Sequence, residues 1–101
     1  MKATGFLINE RFEINARYRV VLTALRVPKS EKFPEGLKVG YVLIDTDGDF
    51  ARLLVDNHEP FGFHMHTQLP EDHSIREVLP TNDYNEALRM FLKEVERIVS
   101  L

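Results

Sequence analysis

The sequence predicts an α+β domain: an antiparallel sheet of four to five strands with one C-terminal helix packed on one face. Three observations point there. Residues 12–24 alternate apolar and polar side chains, residues 38–55 form two apolar runs around a Thr46-Asp47-Gly48-Asp49 turn, and residues 82–100 repeat apolar side chains at helical spacing. At 101 residues the chain is expected to form one domain, residues 1–101, around a single core.

The elements follow in order. Residues 3–8 (ATGFLI) read as a first strand and Asn9-Glu10-Arg11 as the turn after it. Phe12, Ile14, Ala16, Tyr18, Val20, Leu22 and Ala24 then take alternate positions, with Glu13, Asn15, Arg17 and Arg19 between them. This period of two sends the first set to the core and the second to water. From Val21 to Val27 both faces turn apolar, so this end is expected to be covered. Pro28 ends the strand because it has no N–H to give to a ladder. Residues 28–37 hold two Pro, one Gly and four charges and read as a loop, with Phe33 folding back onto the body.

Residues 38–45 and 50–55 read as a hairpin, whose Asp47-Gly48 pair tolerates the positive φ of a tight turn. Asp45 to Asp49 is no calcium loop: Gly is fourth rather than sixth, and no helices flank it. Residues 73–79 are expected to add an edge strand, stopped by Pro80. In residues 82–100, Tyr84, Ala87, Leu88, Phe91, Leu92, Val95, Ile98 and Val99 make one apolar stripe. Thr81 or Asn82 is the expected N-cap, with Asp83 and Glu86 at the favourable end of the helix dipole.

Composition excludes several classes. With no Cys there is no disulfide, thiolate metal site or thiol nucleophile. No apolar run approaches the roughly 18 residues of a membrane helix. The N-terminus lacks the apolar core of a signal peptide, so a cytoplasmic protein is expected. No Gly-rich phosphate loop, Ser-His-Asp order or dinucleotide fingerprint is present. The net charge of −3 is uneven: residues 1–42 carry eight Lys/Arg against four Asp/Glu, and residues 43–101 five against twelve.

The chemistry concentrates in Asp56-Asn57-His58 and Phe63-His64-Met65-His66, read as a His-rich loop leaving a strand. On extended backbone His64 and His66 point the same way. Two imidazoles can exchange protons with a ribose 2′-OH and the leaving oxygen, while an Arg stabilises the phosphate charge. The expected catalytic residues are therefore His64, His66 and Arg19, with Asp56, Asn57, His58 and Arg17 binding substrate. This reading expects His64→Ala and His66→Ala to leave folding intact. His64 and His66 are also candidates for zinc, completed by Asp56, His58 or His73, but their spacing matches no standard finger or zincin and no cofactor is expected. In a different class of reading the histidines are structural, and a free strand edge binds a partner or a second copy.

The run ARLLVDNHEPFGFHMHTQLPEDH, followed by an amphipathic helix, resembles the TumE-like family of bacterial and archaeal toxins. Asp56 and Asn57 match the family's Asp-Asn, His64 and His66 its His-x-His, and His58 falls where members often carry a further His. Met65 departs from the basic residue usual between the last two histidines. The resemblance covers residues 38–100. It implies the toxin of a toxin–antitoxin module, neutralised by an antitoxin with a helix-turn-helix domain; RNA as the substrate follows from the acid–base reading of His64 and His66, not from the resemblance.

Overall fold

The computed structural model describes residues 5–100. Six strands precede one helix: β1 Gly5–Glu13, β2 Tyr18–Arg26, β3 Leu37–Asp45, β4 Phe50–Asp56, β5 His64–His66, β6 Glu77–Val78 and α1 Tyr84–Val99. The strands form one antiparallel sheet in chain order, each hydrogen-bonded to its sequence neighbour. The class is the predicted α+β. The additional strand, β5, comes from the segment expected to be a loop.

The first hairpin turns later than expected. Asn9, Glu10 and Arg11 lie inside β1, opposite Thr23, Leu22 and Val21. The chain reverses at Ile14–Arg17 instead, where the Asn15 side chain accepts the N–H groups of Arg17 (2.8 Å) and Tyr18 (2.9 Å). Such an Asx turn replaces the backbone partners that the ladder loses there. Phe12 ends up opposite Val20, on the same face, so the alternation continues unbroken across the turn. Of the expected strand 3–8, Ala3 and Thr4 lie outside the described residues.

The second hairpin forms where predicted, as a four-residue loop between Asp45 and Phe50. Its positive φ falls on Asp49 (56°) rather than on Gly48. Gly48 has a different constraint: a Cβ there would meet the Phe50 ring at 2.5 Å.

Helix α1 starts at Tyr84, one residue later than an Asn82 cap and two later than a Thr81 cap would place it. Asp83 is the N-cap, accepting the Asn85 N–H at 2.9 Å, while Thr81 in turn accepts the Asp83 N–H. The helix lies against β3 and β4. Ala87, Phe91, Val95 and Ile98 meet Tyr41, Leu43, Leu53 and Val55 in one core. Burying each larger side chain contributes about 1.5–3 kcal/mol before entropy is counted. Tyr41 is wholly buried, donates to the Tyr84 carbonyl (3.0 Å) and packs at 5.9 Å on Phe91. Burial pushes its hydroxyl well above the ordinary tyrosine range.

Candidate functional site

Strand β5 decides where the histidines go. His64, Met65 and His66 pair with Asp56, Val55 and Leu54 of β4. Alternation then sends Met65, beside Val55, into the core beneath α1, and sends His64 and His66 to the opposite face of the sheet. The two imidazoles therefore share a face, as expected. They are not on an exposed loop: His64 is 0 % and His66 2 % exposed.

The loops flanking β5 bring the other histidines to the same face. His58 lies 4.9 Å from His64 between ring centroids, and His64 lies 5.0 Å from His66. His73 stacks on His66 at 4.4 Å and 16°. All four histidines of the chain thus form one row. Phe61 packs edge-on against His58 and His64, and the Arg76 guanidinium lies 4.0 Å above the Phe61 ring.

Local hydrogen bonds orient the end of the row nearest β4. The Gly62 carbonyl takes the Nδ1–H of His64 at 2.7 Å, and the Glu59 carbonyl takes that of His58 at 3.0 Å. A carbonyl can only accept, so in each neutral ring the proton sits on Nδ1 and Nε2 carries the lone pair. Gly62 reaches this position with φ of +63°, in the left-handed region that a side chain would strain. Asp56 is held in a parallel way: Oδ1 accepts the Asn57 N–H at 2.7 Å, and Oδ2 stands 3.5 Å from His58 Nε2. One potential ligand atom from each of Asp56, His58 and His64 lies within 4.8 Å of the other two. His64 Nε2 is buried there without a hydrogen-bond partner. The side chains of Asp56 and His58 are 29 % and 28 % exposed, so this end of the row opens to solvent.

Electrostatics keep the buried rings neutral. Burial lowers the pKa of His64; the Gly62 hydrogen bond and Asp56 oppose the shift, while His58 and Arg76 add to it. Burial also lowers His66, and His73, His64 and Arg76 push the same way. Near pH 7 both imidazoles are lone-pair donors and poor general acids.

The other residues selected from sequence fall into two groups. Asn57 is half-buried and structural: its side chain accepts the Val39 N–H (2.9 Å) and donates to the Leu37 carbonyl (2.8 Å), extending the β3–β4 ladder by one pair. Arg17 and Arg19 lie at the other end of the sheet, where Arg19 is opposite Ile44, while Asp56 is opposite Gly40. Each is engaged by a carboxylate: Arg17 by Asp45 at 2.8 Å and Arg19 by Glu13 at 2.9 Å. Arg76 stands beside the histidine row instead. Nothing in its local sequence marks it. A cavity of about 260 Å³ borders the same loop, lined in part by Phe33, Leu37, Phe61, Gly62, Phe63 and Val78. No protein-family model, curated protein or solved structure matches this chain.

Proposed function

We propose that this chain is the RNA-cleaving toxin of a toxin–antitoxin module, acting through Asp56, His58 and His64, with Arg76 as the cation beside the phosphodiester. The resemblance of its Asp-Asn and His-x-His segment to TumE-like toxins supports the biological setting. One observation supports the chemistry: one ligand atom each from Asp56, His58 and His64 lies within 4.8 Å of the other two, with Asp56 and His58 part-exposed and His64 buried behind them. Among the described residues Arg76 makes no ion pair, so its charge is available to an anion. Arg17 and Arg19 are engaged with carboxylates elsewhere.

The decisive substitutions are Asp56→Asn, His58→Ala and Arg76→Ala, at half-buried side chains whose truncation leaves the main core in place. Each is expected to relieve growth arrest on expression and to lower cleavage of a generic RNA by at least about 100-fold, the scale of a lost acid–base or electrostatic contact. Arg17→Ala and Arg19→Ala are expected to retain activity. Full toxicity in Asp56→Asn and His58→Ala would sink the proposal. His64→Ala is uninformative alone, because emptying a wholly buried site lowers stability whatever the ring does.

A second reading rests on β1. Among the described residues this nine-residue strand has no neighbour on its outer side, and Phe6 and Phe12 are 56 % and 43 % exposed. Such an edge can accept a partner strand. It requires a dimer or a stable complex, and the mass of the purified chain in solution tests the former.

A further inference from the structure

We propose that Asp56 Oδ2, His58 Nε2 and His64 Nε2 form a binding site for one divalent transition-metal ion of the zinc class. The inference deepens the nuclease reading at the same site, but metal binding is measured without RNA, so the two can fail separately.

Three independent features carry it. The donor set is two imidazole nitrogens and one carboxylate oxygen, a combination that suits zinc and its neighbours and leaves at least one coordination position for water or substrate. The separation is close to what an ion needs. Two ligands about 2.05 Å from a tetrahedral ion stand about 3.3 Å apart. Asp56 Oδ2 and His58 Nε2 are 3.5 Å apart, and one ligand atom from each of the three residues lies within 4.8 Å of the others.

The second feature is the set of outer hydrogen bonds. Metal-bound histidine commonly donates its other ring N–H to a carbonyl or carboxylate, which fixes the tautomer and aims the lone pair. Both histidines do so here, through Glu59 and Gly62, and the Asn57 N–H holds the remaining oxygen of Asp56. Each of the three groups is tethered through one atom and presents the other.

The third feature is the buried lone pair. His64 is wholly inaccessible, and its Nε2 has no hydrogen-bond partner. A buried polar atom without a partner costs about 1–3 kcal/mol. A cation between His64, His58 and Asp56 satisfies that atom. His66 and His73 belong to the same row but fall outside this cluster of three.

The test uses the full chain stripped with a chelator and titrated with Zn²⁺ alone, by calorimetry and by thermal melting. One Zn²⁺ per chain and a raised melting temperature are expected, with no comparable effect from Mg²⁺. Co²⁺ in place of Zn²⁺ is expected to show the visible absorption of a low-coordinate nitrogen–oxygen site. Asp56→Asn and His58→Ala should each weaken Zn²⁺ binding by more than roughly 100-fold, beyond the loss of an outer hydrogen-bond partner. Both should keep the melting temperature of the metal-free chain within a few degrees. His73→Ala should bind as the parent does. Absence of binding, or unchanged affinity in Asp56→Asn and His58→Ala, overturns the site. Loss of binding in His73→Ala overturns the ligand set. RNA cleavage without metal removes the metal and spares the nuclease; metal binding without cleavage does the reverse.

Discussion

Asp45 illustrates how a single buried carboxylate is held at the end of a strand. It is 2 % exposed, yet Oδ2 receives both Nε (3.1 Å) and Nη2 (2.8 Å) of Arg17, and Oδ1 receives the Asp47 N–H (3.0 Å). The Arg17 hydrogen bond holds its carboxyl below the usual carboxylate range, against the opposing effect of burial. A group with a lowered folded-state pKa binds its proton less readily when folded. Its contribution is complete above the unfolded value of about 4 and is lost as pH falls through the lower folded value. Asp45→Asn is therefore expected to destabilise the chain at pH 7, with the gap to the parent closing as pH drops below roughly 4. Urea midpoints measured across that range check the sign. Asn57 shows the opposite relation between residue type and role. An Asn beside the histidines looks like a substrate contact, but both ends of its amide are used by the β3 backbone.

At the scale of elements, α1 is held through one stripe. Phe91 is wholly buried, whereas its neighbour Leu92 is 38 % exposed. Phe91→Ala is expected to cost about 3–5 kcal/mol, and Leu92→Ala less than about 1 kcal/mol. Denaturant unfolding of the two variants measures both. The helix and the β3–β4 hairpin were legible because their periods repeat several times within the element itself. Strand β5 was not, because three residues, two of them polar, cannot display a period of two. The first turn was misplaced for a related reason. Phe12 and Val20 face each other on the same side, so the alternation reads as one strand where there are two. Only pairing with β2 reveals that β1 continues through Asn9–Arg11.

Taken whole, the molecule uses the two faces of its sheet for different purposes. One face carries the hydrocarbon core under α1, and near β4 and β5 the other carries the histidine row, closed over by the loops at 57–63 and 67–76. Among the described residues no helix is long and apolar enough to cross a membrane. The β1 edge carries its own protection against strand addition: Glu10, Arg11 and Glu13 are charged, and the register shifts between Phe6 and Ile8. Sedimentation equilibrium of the purified chain is accordingly expected to return a monomer. A dimer that dissociates when a proline replaces Arg11 would favour the binding-module reading instead.

The amino-acid sequence by itself determined the α+β class, the C-terminal helix, the second hairpin and the concentration of histidines near residue 60. These depend on local periodicity and on which residues occur, and both are written along the chain. The tertiary structure alone decided that His64 and His66 lie on a buried strand, that His58 and Asp56 join them while Arg17 and Arg19 do not, and that Arg76 stands at their side. Strand pairing and loop closure set those distances, because they bring together groups that are separated along the backbone.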